Sequence, residues 1–371
     1  MGKQTRLFFA GDFCSKPSAS VITVSDELRN LINSCDLRVL NFEVPLKPDL
    51  EMPTQRRERF FQNDDVPVFL RGLGFNLFSL ANNHAFDWGD AGYKKTKTAL
   101  GDDSFGAGAY EEAYNVKIVE VNGIRIGFLG LCFAAYNGVF DDVTRHEGLG
   151  CAYINDLKVN HVIIEAKKTV DYLFVIPHDG IEYIDIPLPE TIARYRDFID
   201  YGADGVIASH PHCPQGWESY KERPIFYSLG NFLFNSKQGY DYRATDRKHW
   251  YEGLCVVMTI EGGAISWRVV NIRNIDNMGI IVDHDEAREG HNRQLCHYLN
   301  DSEAYAKYSN IIFAKFIRDY YNIIKDVFKS HNVKDALKVL ISCLFGHKSI
   351  PKEEFEFLIK NDLKRCILNK K

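Results

Sequence analysis

The sequence predicts a mixed α/β (α+β) fold, in which two mixed sheets pack together and a helical segment follows them. Three observations predict this fold class. Short apolar runs alternate with amphipathic stretches along most of the 371 residues, two pairs of runs are joined by tight-turn signals, and apolar residues recur at helical spacing near the end. A purely parallel sheet would not need the tight turns, so they favour mixed sheets.

The predicted strands are short apolar runs rich in Val, Ile, Phe and Leu. Six of them form the expected body of the sheets: Arg6–Ala10, Leu37–Phe42, Phe75–Leu80, Leu173–Ile176, Gly205–Ala208 and Ile225–Leu229. The amphipathic stretches between them predict helices, each closed by a glycine or another turn residue. The clearest three cover residues 25–35, 89–101 and 187–202, and Ser25 or Asp26 is expected to cap the first.

Two hairpins and a helical extension complete the predicted fold. The pairs Asn122-Gly123 and Gly262-Gly263 each separate two apolar runs, as in two-residue hairpin turns. From residue 286 onward the apolar side chains follow helical spacing, which predicts two or three helices. We therefore predict one domain over residues 1–285 and a helical C-terminal extension over residues 286–371. The apolar stripes of that extension contain Ile312, Phe316, Tyr320, Ile323, Val327, Val333, Leu337, Leu340, Ile341 and Leu344.

Charge and composition exclude several classes of protein. A net charge of -5 and a pI near 6.2 argue against attraction to a phosphate backbone, so we expect no nucleic-acid partner. The apolar stretch from Leu7 to Ala10 is too short for a signal-peptide core or a membrane span, so we expect no transmembrane anchor. The nine cysteines are scattered without a C-x-x-C pair, which favours reduced thiols and a cytoplasmic location.

Polar side chains follow each of the six predicted strands. A lone histidine or aspartate in such a place is usually a cap or turn residue, but six polar ends are hard to explain by packing. They offer the nitrogen and oxygen ligands that suit Zn, Mn or Fe, so they predict a metal centre. The polar ends are Gly11-Asp12, Glu43 with Asn41 inside the strand, Asn82-Asn83-His84, His178-Asp179-Gly180, His210-Pro211-His212 and Gly230-Asn231.

We predict a centre with two divalent transition-metal ions, Mn, Fe or Zn. Glu43 is the natural candidate for a carboxylate shared by both ions, which would clamp a phosphate oxygen and a hydroxide together. His84 then acts as the general acid, and Asp87 lies close enough to orient it. His210 and His212 face one side if they lie on a strand, whereas in a loop they reach two different metals or are solvated. The six predicted metal ligands are Asp12, Glu43, Asn83, His178, His210 and His212.

Five segments resemble, in order, the blocks of a known family over about residues 5–275. They are GDFCSKP, NFEVPL, SLANNHAFDWG, IPHDGIEYID and SHPHCPQGWESYKERPIFYSLGNFLF. Together they are similar to the capsule-biosynthesis (CapA, or poly-γ-glutamate biosynthesis) family, a branch of the calcineurin-like metallophosphoesterases. The resemblance implies a four-layer α/β/β/α sandwich of two mixed sheets. It also implies roles for the matching residues: Asp12 stands at the first D-x-H, Glu43 at the bridging Asp, Asn83-His84 at G-N-H, His178 at the isolated histidine, and His210 with His212 at G-H-x-H.

The chain departs from the pattern of that superfamily at four positions. Cys14 stands where the D-x-H motif has its histidine, and Glu43 replaces the bridging aspartate. Asn82 and Ser209 replace the glycines of G-N-H and G-H-x-H. Cys14 is either a thiolate ligand or an ordinary buried thiol. Loss of one ligand at this position would weaken or abolish binding of the first metal ion.

Two functions fit these observations. The first is a metal-dependent phosphoesterase-like hydrolase of capsule or other cell-surface polymer biosynthesis, in which a metal-bound hydroxide attacks phosphorus and His84 protonates the leaving oxygen. The second is a non-catalytic accessory subunit of a polymer synthase or exporter that binds metal or an anionic polymer. The expected substrate is a phosphate ester or an anionic polymer-related compound, and the expected partner is the polymer-synthesis machinery.

Overall fold

The structure is a computed structural model that describes residues 4–49, 60–133, 139–140, 148–235 and 248–315. The strands in these ranges are β1 (Thr5–Ser15), β2 (Thr23–Val24), β3 (Leu37–Phe42), β4 (Leu77–Ser79), β5 (Ser104–Phe105), β6 (Ala107–Ala109), β7 (Lys117–Val121), β8 (Ile124–Cys132), β9 (Val139–Phe140), β10 (Leu149–Ala152), β11 (Tyr172–His178), β12 (Gly205–Ile207), β13 (Trp217–Tyr220), β14 (Arg223–Phe226), β15 (Asn231–Asn235), β16 (Glu252–Glu261), β17 (Ala264–Ile275) and β18 (Gly279–Val282). The α-helices are α1 (Asp26–Asn33), α2 (Val66–Leu73), α3 (Gly89–Leu100), α4 (Tyr110–Ala113), α5 (Leu157–Lys167), α6 (Pro189–Asp200) and α7 (Glu286–Asn300).

Two large mixed sheets form the centre of the fold. In the first sheet the order is β2-β18-β17-β16-β1-β3-β4-β5, and β15 pairs with the end of β1. In the second sheet the order is β13-β14-β12-β11-β8-β7. Each sheet has a parallel core, β1-β3-β4 in the first and β8-β11-β12-β14 in the second, with antiparallel strands beside it. A third, small sheet joins β6, β10 and β9.

The sheets pack face to face through a core of large apolar side chains. Phe9 of the first sheet lies with its ring centroid 5.6 Å from that of Phe174 in the second. Other buried apolar residues pack on the outer faces: Leu28 of α1 and Leu70 of α2 on the first sheet, and Ile163 of α5 on the second. Both faces of each sheet are therefore covered, and the predicted α/β/β/α order of layers is confirmed.

Most predicted elements are confirmed. Helices α1, α3 and α6 occupy the three amphipathic stretches, and the side chain of Ser25 caps α1 by accepting a hydrogen bond from Leu28 N. Both hairpin turns are two residues long with positive φ at each residue, as a type I′ turn requires. The run Ile225–Leu229 differs, because its strand ends at Phe226. Beyond that point Tyr227 N still donates to Gly216 O, and the chain then turns toward Gly230.

Helix α7 packs on the second sheet, next to β13. Gly216 permits this approach, because a Cβ at that position would lie 2.8 Å from the backbone carbon of Leu295. Residues 302–315 are also helical, and the compact unit runs from Met1 to Phe313. The boundary at residues 285 and 286 stays a prediction. The apolar stripes predicted from Phe316 onward lie outside the described residues, and within the described part of the chain no helix is long and apolar enough to cross a membrane.

Candidate metal centre

The carboxyl ends of the parallel strands bring all six predicted metal ligands to one edge of the two sheets. Asp12 lies in β1 opposite Asn41 of the neighbouring strand β3, and Glu43 follows β3 directly. His178 is the last residue of β11, in the other sheet. The amide nitrogen of Asn41 nevertheless lies only 3.1 Å from His178 Nδ1, so the ends of the two sheets meet here. Asn83 comes from the turn after β4, and His210 and His212 from the loop after β12.

Two carboxylates lie at the centre of the cluster. Oε1 of Glu43 lies 3.8 Å from His178 Nε2 and 3.8 Å from His212 Nε2. Asp12 also lies between these two histidines, with Oδ1 3.7 Å from His178 Nδ1 and Oδ2 3.6 Å from His212 Nδ1. Ligand atoms of Asp12, Glu43 and His178 all lie within 4.8 Å of one another. This is the mixed nitrogen and oxygen donor set that binds transition metals.

The remaining donors converge on His178. Its Nε2 lies 2.8 Å from Asn83 Oδ1 and 3.1 Å from His210 Nδ1. All six predicted ligands are at most 4% exposed. The side chains that the sequence predicts as ligands are therefore in contact with one another and shielded from water.

The surroundings of the Glu43 carboxylate show whether these residues can accommodate a metal ion. Both of its carboxylate oxygens are buried, and neither has a hydrogen-bond partner within the described residues; the same holds for Asn83 Nδ2. A buried carboxylate without a partner is strongly unfavourable, and coordination of a cation is one of the few ways to compensate it. Asp12 differs, since it accepts hydrogen bonds from Asn41 Nδ2 at 2.6 Å and from His210 N at 3.0 Å. The residues therefore fit a metal ion, with Glu43 as the carboxylate most in need of one.

The pKa shifts follow from the same crowding. Burial, together with the Asp12 carboxylate, holds the pKa of Glu43 well above its usual range. Burial and the neighbouring His210 hold the pKa of His178 well below its usual range. Burial also lowers the pKa of His210 to about 3, although the Glu182 carboxylate opposes the shift. Both imidazoles are therefore neutral, which is the form that binds metals.

Asn231 fixes the tautomer of His212. The amide nitrogen of Asn231 donates to Trp250 O at 3.0 Å, so its oxygen faces His212 Nδ1 at 2.9 Å. Nδ1 must then carry the ring hydrogen, which leaves Nε2, the nitrogen on the Glu43 side, unprotonated and able to bind a metal. The sequence placed Asn231 at a strand end but did not predict this function for it.

The backbone at the centre adopts strained conformations. His210 has φ 108°, His212 has φ 55° and Val44, next to Glu43, has φ 77°. Such angles favour glycine and cost about 1–3 kcal/mol each in other residues, most of all in a β-branched one. Three of them beside one cluster indicate that the geometry of the centre is maintained at the expense of local stability.

His84 and Asp87 form a pair at the more open side of the centre. His84 Nδ1 lies 2.9 Å from Asp87 Oδ2, and the two side chains are 13% and 18% exposed. Asp87 also accepts a hydrogen bond from Phe60 N at 3.2 Å. Burial alone would lower the pKa of His84, but the Asp87 carboxylate outweighs it and raises that pKa. The pairing is the one expected of an oriented general acid, and the catalytic role stays a prediction.

Cys14 lies in an apolar environment. It is fully buried and packs with Val44, Phe234, Trp250 and Tyr251. Burial, followed by the nearby Glu43 carboxylate, holds its pKa well above the usual range of a thiol. These surroundings favour the ordinary buried thiol over the thiolate ligand.

Glu182 is a candidate site residue that sequence reasoning missed. Burial alone would raise the pKa of its carboxyl, but His212 and His210 outweigh burial and lower it. The ring of the next residue, Tyr183, lies 6.2 Å from that of His212, so this segment runs beside the centre. Glu182 is part of the segment IPHDGIEYID, so the signal was present, but its distance from a strand end gave no reason to select it.

Comparisons with known proteins agree with the motifs. The capsule biosynthesis protein CapA of Bacillus anthracis is 32% identical over 206 residues, which cover 53% of this chain and 49% of that protein. A probable polyglutamine synthesis accessory protein of Mycobacterium tuberculosis is 26% identical over 252 residues, which cover 64% of this chain and 66% of that protein. The chain thus spans about half of the length of the Bacillus relative and about two thirds of the length of the mycobacterial one.

Among solved structures, a novel phosphatase from Mycoplasma pneumoniae is similar with a TM-score of 0.44 and 14% identity, over 74% of this chain and 96% of that chain. The family described as bacterial capsule synthesis protein PGA_cap matches residues 6–236, which include every predicted ligand and the His84–Asp87 pair. Since this match extends over more than half of the 371 residues, the chain belongs to the bacterial capsule synthesis protein PGA_cap family.

Proposed function

We propose that this PGA_cap chain is a metal-dependent phosphoesterase-like hydrolase that acts in the synthesis of a capsule or another cell-surface polymer. The observation that carries the proposal is the Glu43 carboxylate, buried and without a hydrogen-bond partner among the described residues, between two buried histidines. A purely structural core would not keep such a group. The family name and the names of the relatives support the link to polymer synthesis.

Two divalent ions, Mn, Fe or Zn, are the proposed cofactors. Asp12, Glu43, Asn83, His178, His210 and His212 would hold them, with Glu43 as the shared carboxylate. When bound, such ions lower the pKa of water and neutralise the charge of phosphate oxygens. The protein itself supplies neutral imidazoles, a buried pair of carboxylates and exclusion of bulk water.

His84 is the proposed general acid. Asp87 holds the hydrogen on Nδ1, so Nε2 is the atom that would give a proton to the leaving oxygen and take one back from water afterwards. Asp87 in turn stays oriented because Phe60 N donates to the same carboxylate. The pair therefore keeps one tautomer and one ring orientation while it transfers the proton.

The environment of Cys14 favours a second candidate function. If its thiol is not a ligand, one position of the usual metal set is absent, and the chain then fits an accessory subunit that binds metal or an anionic polymer without hydrolysis. The mycobacterial relative is itself described as a probable accessory protein. The two candidates differ in turnover, and the hydrolase alone requires the metal centre.

The proposed substrate is a phosphate ester or an anionic polymer-related compound, and the proposed partner is the polymer-synthesis machinery. We also propose a cytoplasmic location. Support for this location comes from the seven cysteines within the described residues, all of which are free thiols and six of which are buried.

The test is turnover by the metal-reconstituted full chain. Bis(p-nitrophenyl) phosphate comes first, followed by phosphomonoesters, nucleotides and polymer precursors. We expect activity that Glu43→Gln abolishes together with metal binding at this centre, because the variant removes the charge of the carboxylate but keeps its shape. Glu120→Gln, at an exposed position of β7, is the matched control and should retain both. Metal bound at full occupancy without turnover of any substrate would favour the accessory function. Less than about half an equivalent of metal after reloading would refute the metal centre and with it the hydrolase.

A further inference from the structure

A second cluster of metal-ligating side chains lies outside the centre described above. It consists of Asp185 from the segment after β11, His249 from the short 3₁₀ helix before β16, and His291 from α7. One ligand atom from each residue lies within 4.8 Å of the others. The three residues are far apart in sequence, and His249 and His291 belong to no motif, so only the fold brings them together.

Two of the three side chains are oriented by hydrogen bonds of the kind that support metal ligands. His249 Nδ1 lies 2.5 Å from Glu252 Oε2, which leaves Nε2 as its ligand atom. The hydroxyl of Tyr308 donates to Asp185 Oδ2 at 2.8 Å. Carboxylates that orient a ligating histidine, and donors that hold a ligating carboxylate, are typical surroundings of metal sites.

His291 gives the observation that points to a ligand. Its Nε2 is buried, has no hydrogen-bond partner within the described residues, and lies 3.6 Å from Asp185 Oδ2, too far for a hydrogen bond. The imidazole ring is stacked on that of His249, with centroids 5.0 Å apart and planes at 3°. A metal ion bound to both His291 Nε2 and Asp185 Oδ2 would give this buried nitrogen the partner that it lacks.

The charges around the cluster permit a cation. Arg288 is the positive side chain beside it, and its guanidinium is paired through both terminal nitrogens with Glu252. With Arg288 and Glu252 offsetting each other, the Asp185 carboxylate is the ligand that brings a negative charge to the cluster.

We propose that Asp185, His249 and His291 form a second metal site, which takes a zinc ion or a similar borderline divalent cation. Two imidazoles and one carboxylate are a ligand set typical of zinc, and water would complete four-coordination. Ca²⁺ and Mg²⁺ prefer sets made of oxygen alone. The side chains of His249 and His291 are 19% and 26% exposed, so an ion can reach them from solvent.

An ion at this site would tie three separate segments together. Helix α7 would be fixed to the segment after β11 and to the 3₁₀ helix that carries Trp250. The ring of Trp250 lies 4.8 Å from that of His212, and its carbonyl oxygen holds the Asn231 amide that orients His212. An ion at the second site would thus stabilise the position of Trp250, which contacts His212 and Asn231 at the first centre.

The experiment is a metal titration of the chelator-treated full chain with Zn²⁺, followed by metal analysis, and with Co²⁺, whose visible absorption reports four-coordination. We compare wild type with His291→Ala and with His297→Ala, a control on the same helix whose side chain is 62% exposed. His291→Ala should bind about one equivalent less than wild type and should lose the corresponding part of the Co²⁺ absorption. His297→Ala should bind the same amount as wild type. The difference of one equivalent is expected whether or not the first centre fills.

Asp185→Asn provides the second variant, because it keeps the acceptor for Tyr308 and removes the charge of the ligand. We expect its dissociation constant for the second ion to rise at least about tenfold. Zn²⁺ should also raise the Tm of wild type more than that of either variant, since an ion that binds only the folded state stabilises it. Equal stoichiometry in wild type, His291→Ala and Asp185→Asn would overturn the proposal, as would an equal loss in His297→Ala.

Discussion

Replacing His84 and His178 separately by alanine tests the roles assigned to them, because the structure places the two side chains in different environments. His178 is 1% exposed and contacts Asn41, Asn83 and His210. His84 contacts Asp87 at the more open side of the centre. If these contacts reflect function, His178→Ala loses metal, whereas His84→Ala keeps its metal and loses proton transfer.

The expected magnitudes follow from the contacts. His178→Ala leaves Asn83 Oδ1 without its 2.8 Å partner, and a buried polar group without a partner costs about 1–3 kcal/mol, so the metal-free variant should lose about that much stability. In His84→Ala the Asp87 carboxylate keeps the Phe60 N donor and is partly exposed, so water replaces the lost bond and the change should stay near 1 kcal/mol. The rate with a poor leaving group should fall about 10²–10⁴-fold in His84→Ala.

The assay combines metal analysis, urea denaturation in the presence of a chelator, and hydrolysis of two substrates. An aryl phosphate leaving group hardly needs a proton, so His84→Ala should be much less impaired with bis(p-nitrophenyl) phosphate than with an alkyl ester. Equal loss of metal in both variants would refute the assignment of His84. An equal rate loss with both substrates would refute proton donation even if metal remains.

Three further predictions concern residues around the centre. Asn231→Ala should weaken metal binding about 10–100-fold in a titration, because His212 loses the partner that fixes its tautomer; unchanged affinity would contradict this. Cys14→Ala should bind the wild-type amount of metal, and a deficit of one equivalent would identify the thiolate as a ligand. Gly216→Ala should cost about 1–3 kcal/mol in urea denaturation, because its Cβ collides with α7, whereas Gly290→Ala in the same helix has room and should stabilise by about 0.5–1 kcal/mol. The reverse order would show that α7 does not pack there.

Local sequence patterns were sufficient to predict the elements that carry the centre. Apolar runs with polar ends identified β1, β3 and β11. Parallel pairing of β1 with β3 places Asp12 beside Asn41 and Glu43, whereas His178 at the end of β11 meets them because the two sheets pack on each other. Both hairpin turns were predictable because Asn-Gly and Gly-Gly tolerate the positive φ that a type I′ turn needs. These features depend on residues adjacent in sequence, which is why one sequence was enough.

Features that depend on distant contacts could not be predicted in this way. The orientation of the Asn231 amide is set by Trp250 O, and the apolar surroundings of Cys14 are set by residues 30 to more than 200 positions away. The cluster of Asp185, His249 and His291 depends on where α7 packs. No local pattern determines such packing, because the choice of partner surface belongs to the whole fold.

The centre is built against local stability, and this gives the strongest reason to regard it as functional. Val44, His210 and His212 adopt left-handed backbone angles, and the two carboxylates of Asp12 and Glu43 repel each other in a buried environment. By contrast, no residue of the two described apolar cores on the outer faces of the sheets has such a backbone angle. A divalent cation would relieve the repulsion and give Glu43 the partner that it lacks. Binding of that ion to the folded chain alone would then recover part of the stability given up to build the site.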